Sequence, residues 1–202
     1  MYFFRNILCL FICLDFGFAF TQTFNRTYGG TGTDRGNATI QAIDGNYLVA
    51  GSTTTSGAGG SDVYLIKNSP SKLSYWAKTF GGTGNDIGYS VARVSDGGYV
   101  IAGSTDSFGA GGLDVYLIKT DSNGGLLWSA TFGGVADDAA SCVIETADGG
   151  FAITGYTSSY GGGLKDVYLI KTNSDATSYW TKVFGAAGPY DCLLYTSPSP
   201  RD

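Results

Sequence analysis

The residues able to do chemistry in this chain are few in kind. It carries seventeen Asp and Glu, twelve Lys and Arg, and no histidine. Without histidine the usual general base and the usual nitrogen metal ligand are missing, and a Ser-His-Asp arrangement is impossible. Paired catalytic carboxylates are not picked out either. Asp137-Asp138 are adjacent, but adjacency in a turn is not the spacing that glycoside hydrolysis requires. Asp34, Asp86 and Asp138 recur in the turn after a Gly-Gly pair. One chemistry they could supply is a calcium ligand in each repeat. No Asp-x-Asp-x-Asp spacing accompanies them, so they read instead as side chains capping turn amides, and no metal site or cofactor is expected. The Gly-rich stretches 57–60 and 161–163 superficially suggest phosphate cradles, yet no Gly-Lys-Ser/Thr follows them and no helix start adjoins them.

Cysteine adds little. Cys9 and Cys13 fall in the N-terminal apolar run and Cys192 in the aberrant tail, leaving Cys142 in the body. It aligns with Ala38 and Ser90, a slot for small side chains, and reads as a packed thiol rather than a nucleophile. Asn25-Arg26-Thr27 and Asn37-Ala38-Thr39 are glycosylation acceptor sequences at Asn25 and Asn37. The net charge of −5 and the lack of a basic patch argue against nucleic acid as a partner.

The elements that must position these groups follow from self-similarity. Asp62-Val63-Tyr64-Leu65-Ile66-Lys67 recurs as Asp114 to Lys119 and as Asp166 to Lys171, a step of 52 residues. Trp76, Trp128 and Trp180 keep the same step, as do Tyr47, Tyr99 and Phe151, and Gly51, Gly103 and Gly155. A fixed period of this size implies an array of one supersecondary unit. In the second unit the pattern predicts strands over 89–94, 99–105, 114–120 and 126–132, with a hairpin at Asp96-Gly97-Gly98 and a longer Gly-rich loop over 106–113. Along Val115-Tyr116-Leu117-Ile118 both faces are apolar, so each sheet needs a neighbour on either side. Asp62 and Lys67, five apart, fall on opposite faces of a strand and are expected to mark its ends.

The expectation is therefore an all-β fold: an incomplete β-propeller of about three four-stranded antiparallel blades with a 52-residue period. The units lie near 24–76, 77–128 and 129–180, with the start of a fourth at 181–191. The run Asp96-Gly97-Gly98-Tyr99-x-x-x-Gly-Ser-Thr, followed by Asp114 to Asp121 and Trp128, resembles the Gly-rich β-propeller repeats of secreted microbial proteins. Gly103, Tyr116 and Trp128 also fall in kelch-like order, though Gly103-Ser104 replaces the kelch double glycine. Asp121 to Trp128 is similar to the Asp-box turn of sialidase-type propellers, a fold element rather than a catalytic one. The resemblance implies a fold and leaves the chemistry open.

The two ends are expected to lie outside that fold. Arg5, the apolar run 7–20, and Gly17 and Ala19 at −3 and −1 read as a secretory signal peptide over 1–19, leaving no stable membrane span after cleavage and an extracellular or cell-surface location. Residues 192–202, Cys-Leu-Leu-Tyr-Thr-Ser-Pro-Ser-Pro-Arg-Asp, resemble a translated sequencing-library adapter, so a non-native tail is expected after a repeat region spanning 20–191. About three units fall short of the four to eight blades that close a propeller, which points to a longer natural protein. Phe108 and Tyr160 align with Ser56 in the loops 105–113, 157–165 and 53–61, and are the candidate binding residues for a protein or glycan ligand. The reading of function is a secreted, non-enzymatic binding or structural module. Its alternative is a piece of a propeller hydrolase or lyase whose catalytic residues lie in further blades.

Overall fold

A computed structural model describes residues 27–69, 75–162 and 164–185. Residues 1–19, expected to be a signal peptide, Asn25 and residues 192–202 lie outside those residues. The described chain holds twelve strands and no helix. They run β1 Asp34–Gln41, β2 Tyr47–Thr53, β3 Asp62–Asn68, β4 Tyr75–Phe80, β5 Asp86–Arg93, β6 Tyr99–Thr105, β7 Asp114–Thr120, β8 Leu126–Phe132, β9 Asp138–Glu145, β10 Phe151–Thr157, β11 Asp166–Thr172 and β12 Tyr179–Phe184. They form three separate four-stranded sheets in the orders β1-β2-β3-β4, β5-β6-β7-β8 and β9-β10-β11-β12, with every pairing antiparallel. The arrangement is that of three propeller blades in an open array. The first strand of each blade faces its counterpart in the next, and β6 packs on β9 as β2 does on β5.

Local chemistry explains each blade. The first hairpin turns at Asp44-Gly45, Asp96-Gly97 and Asp148-Gly149, where the glycines hold φ of 79°, 88° and 78°. The aspartates accept from Asn46 N, Gly98 N and Gly150 N at 3.1, 2.8 and 3.1 Å. Opposite Gly51, Gly103 and Gly155 the first strand bulges by one residue, leaving Asn37, Tyr89 and Ser141 without a pairing partner on the second strand.

Two cores lie between the sheets, one at each junction. Leu48, Ala50, Val63 and Leu65 of the first blade meet Val91, Ile101, Tyr116 and Ile118 of the second. Val100, Val115 and Leu117 of the second meet Val143, Phe151, Tyr168 and Ile170 of the third. The middle blade is thus buried on both faces, and every residue of β6 and β7 is buried. Burying Val115 and Leu117 on one side and Tyr116 and Ile118 on the other contributes up to about 6–12 kcal/mol. The fold is directional: the Val–Leu face of one blade docks on the Tyr–Ile face of the next.

One strand start differs from the sequence reading. β5 begins at Asp86, three residues before the expected Tyr89. Asp86 N donates to Ser61 O at 2.6 Å, which draws the start of the strand against the preceding blade. Cys142 is partly buried on β9 opposite Thr154.

Candidate functional site at the blade junctions

Each blade is joined to the next by a short connector, Gly81–Asp86 or Gly133–Asp138, held between two loops. The preceding blade's long loop grips it from one side: Gly60 N donates to Gly84 O at 2.9 Å and Ser61 N to Asn85 Oδ1 at 3.2 Å. The next junction repeats this, with Gly112 N donating to Val135 O at 3.3 Å and Leu113 N to Asp137 Oδ1 at 3.0 Å. The following blade's long loop grips the other side. Gly84 N donates to Ser107 Oγ at 2.9 Å, Ala136 N to Ser159 Oγ at 3.1 Å, and Asn85 N to Asp106 Oδ1.

Two sets of aspartates hold these segments. Asp34, Asp86 and Asp138 accept through Oδ2 from Gly30 N, Gly82 N and Gly134 N at 3.0, 2.8 and 2.8 Å, the turn-capping role read from the sequence. The Ser107 and Ser159 hydroxyls donate to Asp86 Oδ2 and Asp138 Oδ2 at 2.7 and 2.5 Å. Asp62, Asp114 and Asp166 do the same for the long loops, accepting from Ala58 N, Ala110 N and Gly162 N at 3.1, 2.8 and 2.9 Å. They do begin their strands, but their carboxylates also clamp the loops. The signal was in the sequence: each stands four residues after the amide it caps. The Thr53 hydroxyl and then the Gly30 amide hold Asp34 below the ordinary carboxylate range. Burial pushes Asp114 up, two amides pull it down, and the nearby Asp138 charge adds to the rise, leaving it above the ordinary value.

No family model matches the chain. A curated protein to which it is similar is the Regulatory protein FlaEY of Caulobacter vibrioides, at 26% identity over 164 residues. The match covers 71% of this chain, which spans 17% of that protein's length.

At the same end of the blades stand the two aromatic residues picked out by sequence. Phe108 and Tyr160 are 46% and 45% exposed. Each ring lies tilted against a tyrosine of its own blade: Phe108 is 5.7 Å from Tyr116 and Tyr160 is 5.9 Å from Tyr168, centroid to centroid. Tyr160 Oη also donates to Gly133 O at 2.8 Å, tying the ring to the connector; Phe108 has no hydroxyl with which to do so. Burial raises the Tyr160 phenol, and the Asp138 charge adds to the effect. Tyr168 beneath it is pushed to about 12, again chiefly by burial. Both candidate rings therefore have one face fixed on the blade and part of their surface open. Asn37, the described glycosylation candidate, is exposed at the β1 bulge, and its Nδ2 donates to Gly88 O of the next blade at 2.8 Å.

The opposite end carries a set of ion pairs that sequence reasoning missed. Lys67, Lys119 and Lys171 pair with Asp44, Asp96 and Asp148 at 2.7, 2.8 and 2.9 Å. Each lysine turns inward beneath its own blade's first hairpin, and Lys119 Nζ also donates to Thr120 O at 3.1 Å. The clue was a second 52-residue series, the Asp of the Asp-Gly turn, always 23 residues before the lysine. A cleft of about 260 Å³ opens beside the first pair, lined by Ile43, Lys67, Arg93, Tyr99 and Ser122 among others. At the following junction Ser95 N and Oγ donate to Glu145 at 2.8 and 2.7 Å.

Proposed function

We propose that this protein is a secreted or surface-exposed, non-enzymatic β-propeller module that binds a glycan or protein through its long interstrand loops. The observation that carries this reading is the pair Phe108 and Tyr160. They occupy one position in successive blades, are each about half exposed, and are each held by a tyrosine underneath. A ring already fixed on one face loses little freedom when a ligand covers the other, so its contact area converts well into affinity. Residues 53–61, where Ser56 replaces the ring, show how the loop varies without disturbing the blade. The secretory reading rests on Arg5, the apolar run 7–20 and the small residues Gly17 and Ala19. The name of the FlaEY protein indicates regulation. Acting through captured partners would be in keeping with that, but the likeness covers only a small part of that protein.

The test is a glycan array, with a parallel screen of extracellular proteins, probed with the chain and with a Phe108→Ser/Tyr160→Ser variant that copies Ser56. Each ring contributes about 0.5–1.5 kcal/mol, so the double variant is expected to bind about fivefold or more weakly while keeping its fold. An absence of signal above background in both screens, or binding unchanged in the variant, overturns the proposal.

A further inference from the structure

At the end of the blades away from Phe108 and Tyr160, the two described junctions are joined differently. In the second junction Glu145 of the third blade accepts from Ser95 N and Ser95 Oγ of the second at 2.8 and 2.7 Å. Donors on one hairpin thus meet an acceptor on the next blade. One 52-residue period earlier the counterparts of Glu145 and Ser95 are Arg93 and Ile43. Ile43 keeps the backbone amide but has no hydroxyl, and a guanidinium has only donors to offer it. Donor therefore faces donor across the first junction, and an acceptor between them would serve both.

The surroundings lack that acceptor. The cleft of about 260 Å³ opens at this place, and Ile43 and Arg93 both line it. Its charged lining residues are Lys67, Arg93 and Asp44, two cations to one acid in a chain whose net charge is −5. The Asp44 carboxylate is already engaged, with Lys67 Nζ at 2.7 Å and Asn46 N at 3.1 Å. Lys67 is fixed as well: its Nζ also donates to Ser122 O at 3.4 Å and lies 5.5 Å from the centroid of the Tyr99 ring. Arg93, by contrast, is exposed at the end of β5, and no described residue accepts from its guanidinium. Ile43 and Val94 add apolar wall on either side.

We propose that this cleft binds a small organic acid with an apolar body, its carboxylate held between the Arg93 guanidinium and the Ile43 amide. A guanidinium grips a carboxylate through two parallel N–H···O bonds, and the amide supplies a third, as Ser95 N does for Glu145. The apolar body lies against Ile43 and Val94. The volume falls just short of the roughly 300 Å³ at which pockets for drug-sized ligands begin, so the cleft admits a single ring or a short branched chain. The inference stands independently of any ligand held by Phe108 and Tyr160.

The test titrates the full chain, labelled with ¹⁵N, with benzoate, with its uncharged counterpart benzyl alcohol, and with glucuronate as a polar acid. Benzoate is expected to shift the amide signals of Ile43 and Val94 and to saturate a single site, with benzyl alcohol and glucuronate at least tenfold weaker. Arg93→Gln, at an exposed position, is expected to weaken benzoate at least tenfold and to leave benzyl alcohol unchanged. Ile43→Ser/Arg93→Glu copies the second junction, supplies the acceptor from the chain itself, and is expected to abolish benzoate binding without lowering the thermal midpoint. The proposal is overturned if benzoate saturates no site, if benzyl alcohol binds as tightly as benzoate, or if folded Arg93→Gln binds benzoate unchanged. Glucuronate binding more tightly than benzoate would overturn the choice of an apolar body and assign the cleft to an acidic sugar.

Discussion

The directional docking of the blades makes a sharp prediction at one repeated leucine. Leu65, Leu117 and Leu169 occupy the same register in β3, β7 and β11, opposite Ala50, Ala102 and Thr154. Leu65 and Leu117 are fully buried because the next blade covers them, while Leu169 is partly exposed. Leu→Ala removes three carbons. At about 0.8 kcal/mol for each buried methylene-sized group, the transfer loss is about 2.4 kcal/mol, and the cavity left in a close-packed junction brings the expected cost to about 3–4 kcal/mol at Leu65 and Leu117. At Leu169 part of the surface already meets water and the site can collapse, so the expected cost is about 1 kcal/mol. Urea unfolding followed by tyrosine and tryptophan fluorescence measures the three variants on one scale. Equal costs at Leu117 and Leu169, or a cost below about 1.5 kcal/mol at Leu117, would refute the claim that stability resides between blades.

Other expectations concern turns and charge. The lysine-paired aspartates predict acid lability. Burial opposes the charge on Asp44 and Asp96, but the Lys67 and Lys119 bonds and turn amides more than offset it. At Asp148 the Thr146 hydroxyl and Lys171 act together. Folded pKa values below the unfolded value of about 3.9 give stability that is present above that pH and lost as pH falls through the folded values. Asp114, raised on folding, acts in the opposite sense. The melting midpoint should therefore fall below about pH 4, less steeply in Asp148→Asn, and a midpoint level down to pH 2.5 would contradict this. Gly81→Ala should cost about 2–3 kcal/mol in chemical denaturation because its methyl displaces two capping carboxylates, whereas Gly97→Ala, strained at φ +88° but with open space around it, should cost about 1. Ala176 holds φ of 59° where the preceding blade has Gly124. Ala176→Gly is expected to raise stability by up to about 1 kcal/mol, and a loss on calorimetry would count against that backbone assignment.

Much of the fold was legible because its determinants are local and repeated. The Asp-Gly turns fixed the hairpins, and two-sided apolar strands such as Val115 to Ile118 required flanking sheets. Phe108 and Tyr160 could be located because they break a repeat that is otherwise regular. What sequence did not show depends on distances across blades. Lys67 reads, with Asp62 five residues before it, as the mark of a strand end, yet its ammonium finds Asp44 beneath a hairpin formed 23 residues earlier. The meeting of Asp62 with Asp86 around Gly81 was equally hidden. Each acid has a sufficient local reason to exist as a cap, and only the docking of two blades brings them together.

The fixed direction of that docking has a genetic consequence. Every junction joins the same two kinds of surface, so a duplication or loss of one whole 52-residue period creates no interface the chain does not already contain. A change of half a period would instead leave a blade two strands short or two in excess and separate the connector glycines from the loops that clasp them. Copy number should therefore change in whole steps, within the range that closes a propeller, among descendants of such a gene, while fractional steps are eliminated.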